Sequence, residues 1–182
     1  MRIATHRFIA AFSMALTAAL TLGALSQNVV AQEATSPDAS LKQIALTDAQ
    51  IESFIAAQKD MVPIVAKAPD ADKPDSKVME QLEAVAKKYG FANYAEYDDV
   101  AGNIGLVMSG IDPETKKYVG AEAVIKKEIA SAENDKTMAP NDKKEQLEAL
   151  RAALKLPPDP VKFPGNIELV TKNYDKLAVR NQ

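Results

Sequence analysis

Residues 78–110 read VMEQLEAVAKKYGFANYAEYDDVAGNIGLVMSG, and two helical periods meet inside them. Val78, Leu82, Val85, Ala86 and Tyr89 trace one apolar stripe at the spacing of a helix face, and Gly90 supplies the left-handed cap that ends such a helix. Asn93, with Glu96 three residues later, restarts a helix through a capping box. Its buried positions are expected at Tyr97, Val100, Ala101, Ile104, Val107 and Met108. Two helices joined by a short capped turn must cover their apolar stripes with further helices, which predicts an all-α fold.

The flanking sequence supplies those helices. Toward the N-terminus, Thr47-Asp48-Ala49-Gln50 fits a capping box, and Ile51, Phe54, Ile55, Met61, Val62 and Val65 follow at largely helical spacing. Pro63 is expected to kink or end that helix, and the stretch from Ala68 to Pro74, rich in Pro and Asp, reads as a turn. Toward the C-terminus, Asp112-Pro113-Glu114-Thr115 makes a turn, then Val124, Ile125, Ile129 and Ala132 mark a helix from Ala121 to about Asn134. A fifth helix opens near Pro140 and carries Leu147, Leu150 and Leu154 until Pro157, Pro158 and Pro160 forbid its continuation. Pro164-Gly165-Asn166 leads into a last helix with Val170, Tyr174, Leu177 and Ala178. The β-branched residues are scattered rather than alternating, so no strand is expected. The reading is an irregular bundle of five to six short helices, a single domain over residues 46–182, behind a flexible polar lead at residues 32–45.

Ahead of that lead, residues 1–31 have the order of parts of a signal peptide. Arg2, His6 and Arg7 stand without an acid before an apolar run from Phe8 to Leu25, and Val29-Val30-Ala31 offers a cut that would release a chain beginning at Gln32. The competing reading is an uncleaved anchor, because the run lies near the lower edge of the roughly 17 to 25 residues needed to cross a bilayer. Hydroxyls and Gly23 dilute the run and a cleavage pattern follows it, so export to the periplasm or the medium is expected.

Cleavage removes Arg2 and Arg7 and no acid, leaving 20 basic against 25 acidic side chains. An acidic balance argues against nucleic-acid binding, which needs a basic face for phosphates. Cysteine is absent and the only histidine, His6, leaves with the leader. Zinc, copper and haem sites draw on those two residues, so no metal or cofactor is expected. The same absence removes the commonest general base and the Ser-His and Cys-His nucleophile pairs, which points away from an enzyme. Asp70-Ala71-Asp72-Lys73-Pro74-Asp75 invites comparison with a calcium loop but lacks the required Gly where Asp75 stands and the bidentate acid where Gln81 stands.

Candidate binding residues cluster in the helix that Asn93 opens. Interior glycines cost roughly 0.5 to 1 kcal/mol each relative to alanine, so Gly102 and Gly105 need a compensating reason. Ala101, Gly105 and Ser109 are spaced four apart and form one shallow groove. Either a neighbouring helix lies close against it, or a ligand or partner helix approaches the backbone there with Met108 as an adaptable lining. Tyr89, Phe91, Tyr94 and Tyr97 stand beside the acids Glu96, Asp98 and Asp99. They form either a helix-junction minicore with a solvated rim or an aromatic pocket for a cation. Lys126-Lys127 and Lys143-Lys144, among Glu128, Glu133, Glu145 and Glu148, read as solvated faces with mutual pairing.

Leu46-Thr47-Asp48-Ala49-Gln50 resembles the LTxxQ signature of small helical periplasmic chaperones and stress-response proteins of the CpxP and Spy type. That resemblance covers five residues at one helix start and implies a periplasmic chaperone. The layout also resembles small secreted bacterial helical proteins, a likeness that brings no activity with it. From the residues themselves, the first expectation is a noncatalytic envelope protein that binds a protein, peptide or small molecule through the groove at Ala101, Gly105, Met108 and Ser109, with Tyr94 and Tyr97 nearby. A carboxylate-dependent hydrolase using Glu96 and Asp99 is the catalytic alternative.

Overall fold

The computed structural model describes residues 41–67, 75–156 and 159–178. Among them the chain is all-α apart from one small hairpin, as the stripe pattern requires. In order it forms α1 (Asp48–Lys67), α2 (Ser76–Lys88), α3 (Tyr94–Met108), β1 (Ile111–Asp112), β2 (Lys117–Tyr118), α4 (Ala121–Asn134), α5 (Pro140–Lys155), α6 (Pro164–Lys172) and α7 (Tyr174–Ala178). The leader at residues 1–31 and the turn at residues 68–74 lie outside the described residues.

The helix ends follow the capping chemistry. At α1 the Thr47 hydroxyl accepts the Gln50 N–H at 3.2 Å while the Gln50 side chain accepts the Thr47 N–H at 3.1 Å. At α2 the Asp75 carboxylate accepts the Val78 N–H, and the far end closes on Gly90 at φ +90° with Gly90 N–H bonding Lys87 O and Phe91 N–H bonding Ala86 O. Those two bonds are a Schellman closure, which needs a left-handed residue where Gly90 stands. At α3 the Asn93 side chain accepts the Glu96 N–H and Glu96 reaches back to the Ala92 N–H at 2.7 Å.

One apolar core joins α1, α2, α3, α6 and α7 through Ile51, Phe54, Met61, Leu82, Ala86, Val100, Ile104, Val107, Val170 and Leu177. Side chains of this kind contribute roughly 1.5 to 3 kcal/mol each when fully removed from water. The α4–α5 pair stands apart: Val124 and Ala132 are buried within it, outside that core, and α5 has no buried residue.

Four local expectations change. Helix α1 runs through Pro63 to Lys67 because Pro63 and Lys59, whose carbonyl loses its partner, both face solvent; Val62 and Val65, expected in the stripe, are exposed beside it. The last helix divides into α6 and α7 at Asn173, whose side chain donates to Leu169 O at 2.9 Å and competes with the backbone ladder. The turn after α3 is a hairpin, with Ile111 opposite Tyr118 and Asp112 opposite Lys117. Asp112 builds it: one carboxylate oxygen accepts the N–H groups of Glu114 and Thr115, and the other takes the Lys127 ammonium at 2.8 Å. Finally, the folded unit includes residues 41–45, read from sequence as lead; they run extended across α3 and α6, pinned by side chains from both.

Candidate functional site

Helix α3 turns Tyr97, Val100, Asn103, Ile104 and Val107 inward, which sorts the six candidate residues into three groups. Tyr97 is in the core, stacked on Phe54 at 5.3 Å and on Tyr94 at 5.9 Å, and edge-on to Phe91 at 5.4 Å. Its hydroxyl accepts the Gln58 side-chain N–H at 2.9 Å. Tyr94 closes the outer side of this stack, and its backbone N–H donates to the Glu83 carboxylate at 2.7 Å, tying α3 to α2. The aromatic residues are therefore a junction of α1, α2 and α3. Ala101 and Met108 are half-buried against the core.

Gly105 and Ser109 form the third group, on the exposed side of α3. A Cβ built on Gly105 meets nothing within 4 Å, so among the described residues no neighbouring helix lies on the stripe at that point. The close approach falls at Gly102 instead, where a Cβ would stand 2.5 Å from the Leu41 side chain. Beside the open face, Leu106, Tyr118, Val119, Gly120, Glu122 and Pro160 line a hollow of about 480 Å³. Tyr118 lies against Gly110, which leaves no room for a larger residue there, and Val119 is 48% exposed at the rim.

The carboxylates near this helix are mostly engaged. Glu96 caps α3 as described, and Asp99 accepts the Lys42 ammonium at 2.6 Å. Asp98 has a raised pKa: partial burial is the larger cause and the neighbouring Asp99 charge adds to the rise. Burial, with Asp98 contributing, also raises Tyr94. The lysine pairs are engaged as well. Lys126 meets Glu122, Lys127 meets Asp112 and Glu114, and Lys143 donates to the carbonyls of Glu133 and Asp135.

Two residues outside the sequence reading organise this face. Asn103 is 1% exposed and Asn166 is 3% exposed. Asn103 donates to Lys42 O at 2.9 Å and Asp99 O at 2.7 Å and accepts the Ile44 N–H at 3.0 Å. Asn166 donates to Ile44 O at 2.8 Å and accepts the Leu46 N–H at 2.8 Å. Asn103 was detectable in principle, since it falls in the buried phase of the stripe between Val100 and Val107, where an amide must find partners. Asn166 carries no comparable signal, because it follows Pro164-Gly165 at a helix start.

Comparison with protein-family models, with curated proteins and with solved structures finds no match for this chain.

Proposed function

We propose that this chain is an exported, noncatalytic binding protein of the bacterial envelope, and that it receives a partner protein, peptide or small molecule at the hollow beside the open face of α3. The observation that carries the reading is the accessible apolar lining, Leu106, Tyr118, Val119 and Pro160, adjoining a helix face at Gly105 and Ser109 that no element of the described residues covers. Recognition sites of this kind are concave and mostly apolar with few polar groups. The noncatalytic reading is supported by the employment of Glu96 as a cap and of Asp99 as an ion pair, which leaves the hydrolase alternative without a free pair of acids at those positions. Among the described residues no helix is long and apolar enough to cross a membrane. Export rests on the pattern at residues 1–31.

Protein recovered from the envelope is expected to begin at Gln32 by intact mass and to retain a partner or small molecule through purification. Val119→Glu, at an exposed rim position, is expected to keep the helical circular dichroism spectrum and lose that partner. Equal retention by wild type and Val119→Glu, or recovery of nothing with either, refutes the reading.

A further inference from the structure

The segment at residues 41–46 is held by side-chain amides that imitate a neighbouring strand. A carboxamide offers one acceptor and a donor side by side, as a peptide unit does. Asn103 and Asn166 present those groups to the N–H and C=O groups of alternate residues, Lys42, Ile44 and Leu46. Gln43 repeats the device outward, accepting the Lys162 N–H at 2.8 Å and donating to Pro160 O at 2.9 Å. These four hydrogen bonds go to backbone atoms of the segment, so they are blind to its side chains. Side-chain preference comes from three positions: Leu46 is buried in the core, Ile44 packs against it, and Leu41 lies against Gly102, where the missing Cβ leaves room for it.

We propose that the surface of α3 and α6 beneath residues 41–46 is a binding site for an extended peptide with leucine at its first position and apolar residues at its fourth and sixth, and that the chain's own residues 41–46 are an exchangeable occupant in cis. Strand-like peptide recognition takes its affinity from main-chain bonds and its selectivity from pockets for alternate side chains, and this site has the first in the two asparagines and the second at Ile44 and Leu46. The site is distinct from the hollow proposed above. Pro160 is common to both: its carbonyl accepts the Gln43 side-chain N–H, and it also lines the hollow.

The probe is a fluorescent, end-capped peptide LKQIAL, the sequence of residues 41–46, read by anisotropy against the full exported chain. Ile44→Pro deletes the N–H that Asn103 accepts and so weakens the occupant in cis while leaving both asparagines in place. A site filled by its own chain binds an external ligand in proportion to the fraction of time it is vacant. Ile44→Pro is therefore expected to bind the peptide at least tenfold more tightly than wild type. Adding Asn166→Ala is expected to remove that gain, and a peptide N-methylated at isoleucine is expected not to bind. Val119→Glu is expected to leave peptide binding unchanged, which separates this site from the hollow. No binding by folded Ile44→Pro, or equal binding of the N-methylated peptide, overturns the proposal. Should Ile44→Pro fail to fold, the wild-type chain decides: millimolar peptide must shift the side-chain amide resonances of Asn103 and Asn166, and unchanged resonances overturn the proposal equally.

Discussion

Asn103 and Asn166 both hold Ile44, the first accepting its N–H at 3.0 Å and the second donating to its carbonyl at 2.8 Å. One residue of an extended segment thus couples α3 to α6, and neither asparagine has a full set of partners unless the segment is seated.

That sharing predicts non-additive mutants. Each lost intramolecular hydrogen bond costs about 0.5 to 1.5 kcal/mol net, so Asn103→Ala is expected to destabilise by roughly 2 to 4 kcal/mol and Asn166→Ala by roughly 1 to 3. Once either substitution has freed the segment, the other has less to lose. The double mutant is expected to fall short of the sum by about 1 kcal/mol or more in urea denaturation. Strict additivity would mean that the two amides act on independent structures.

The two glycines of α3 are expected to respond in different ways to alanine. At Gly105 the new methyl meets open space, so the helix gains about 0.5 to 1 kcal/mol, a rise in Tm of roughly 1 to 4 °C. At Gly102 it would meet the Leu41 side chain at 2.5 Å, and the displacement of that flexible leucine offsets the gain. Combining Gly102→Ala with Leu41→Ala is expected to recover most of the difference between the two sites. Thermal unfolding of Gly105→Ala, Gly102→Ala and Gly102→Ala with Leu41→Ala against wild type checks both statements.

The same contrast shows where sequence reading reached its limit. The stripes from Val78 to Val107 and the caps at Thr47, Gly90 and Asn93 are local chemistry, written within a few residues, and they specify the helices they bound. Which glycine is crowded depends on Leu41, which lies sixty-one positions before Gly102 in the chain and on no periodic element. The hairpin was hidden because each strand has two residues, too few to show alternation, and its turn is set by Asp112 with Lys127 from the next helix. Tyr94 and Tyr97 were placed correctly as neighbours, but whether they lined a pocket or a junction depended on Phe54 arriving from α1.

Helix α5 is expected to be the first long helix to open. It has no buried residue and packs chiefly on α4, whose own buried positions, Val124 and Ala132, lie outside the main core. Regions with few buried apolar contacts open with free energies well below that of global unfolding. Native-state hydrogen exchange should show the amides of Leu147 and Leu150 exchanging at least tenfold faster than those of Val100 and Ile104. Equal protection would show that the α4–α5 pair unfolds with the core.

Acid stability separates two kinds of carboxylate. Asp112 is held below the ordinary range by the Lys127 ammonium first and the Glu114 N–H next, Asp60 by Lys88 and the Tyr89 hydroxyl, and Glu83 by the Tyr94 N–H and Lys87. A carboxyl group that releases its proton more readily when folded contributes stability above its unfolded pKa, near 4, and loses that contribution as pH falls through the lower folded value. Asp98 behaves in the opposite sense. Burial and Asp99 raise its folded value above the unfolded one, so its charged form opposes folding at neutral pH and its protonation removes that opposition. Unfolding free energy is therefore expected to hold level or rise slightly as pH falls from 7 through the raised Asp98 value, then to drop below about 4. Asp98→Asn should stabilise the protein at pH 7, by roughly half a kcal/mol or less because the group is partly solvated, and should abolish the slight rise. Lys127→Met should make the drop below 4 shallower, since Asp112 then loses the partner that most lowers its pKa. Urea titrations at pH 3, 5 and 7 on the three proteins provide the measurement. A destabilised Asp98→Asn at pH 7 would contradict the assignment of burial as the dominant influence on that carboxyl group.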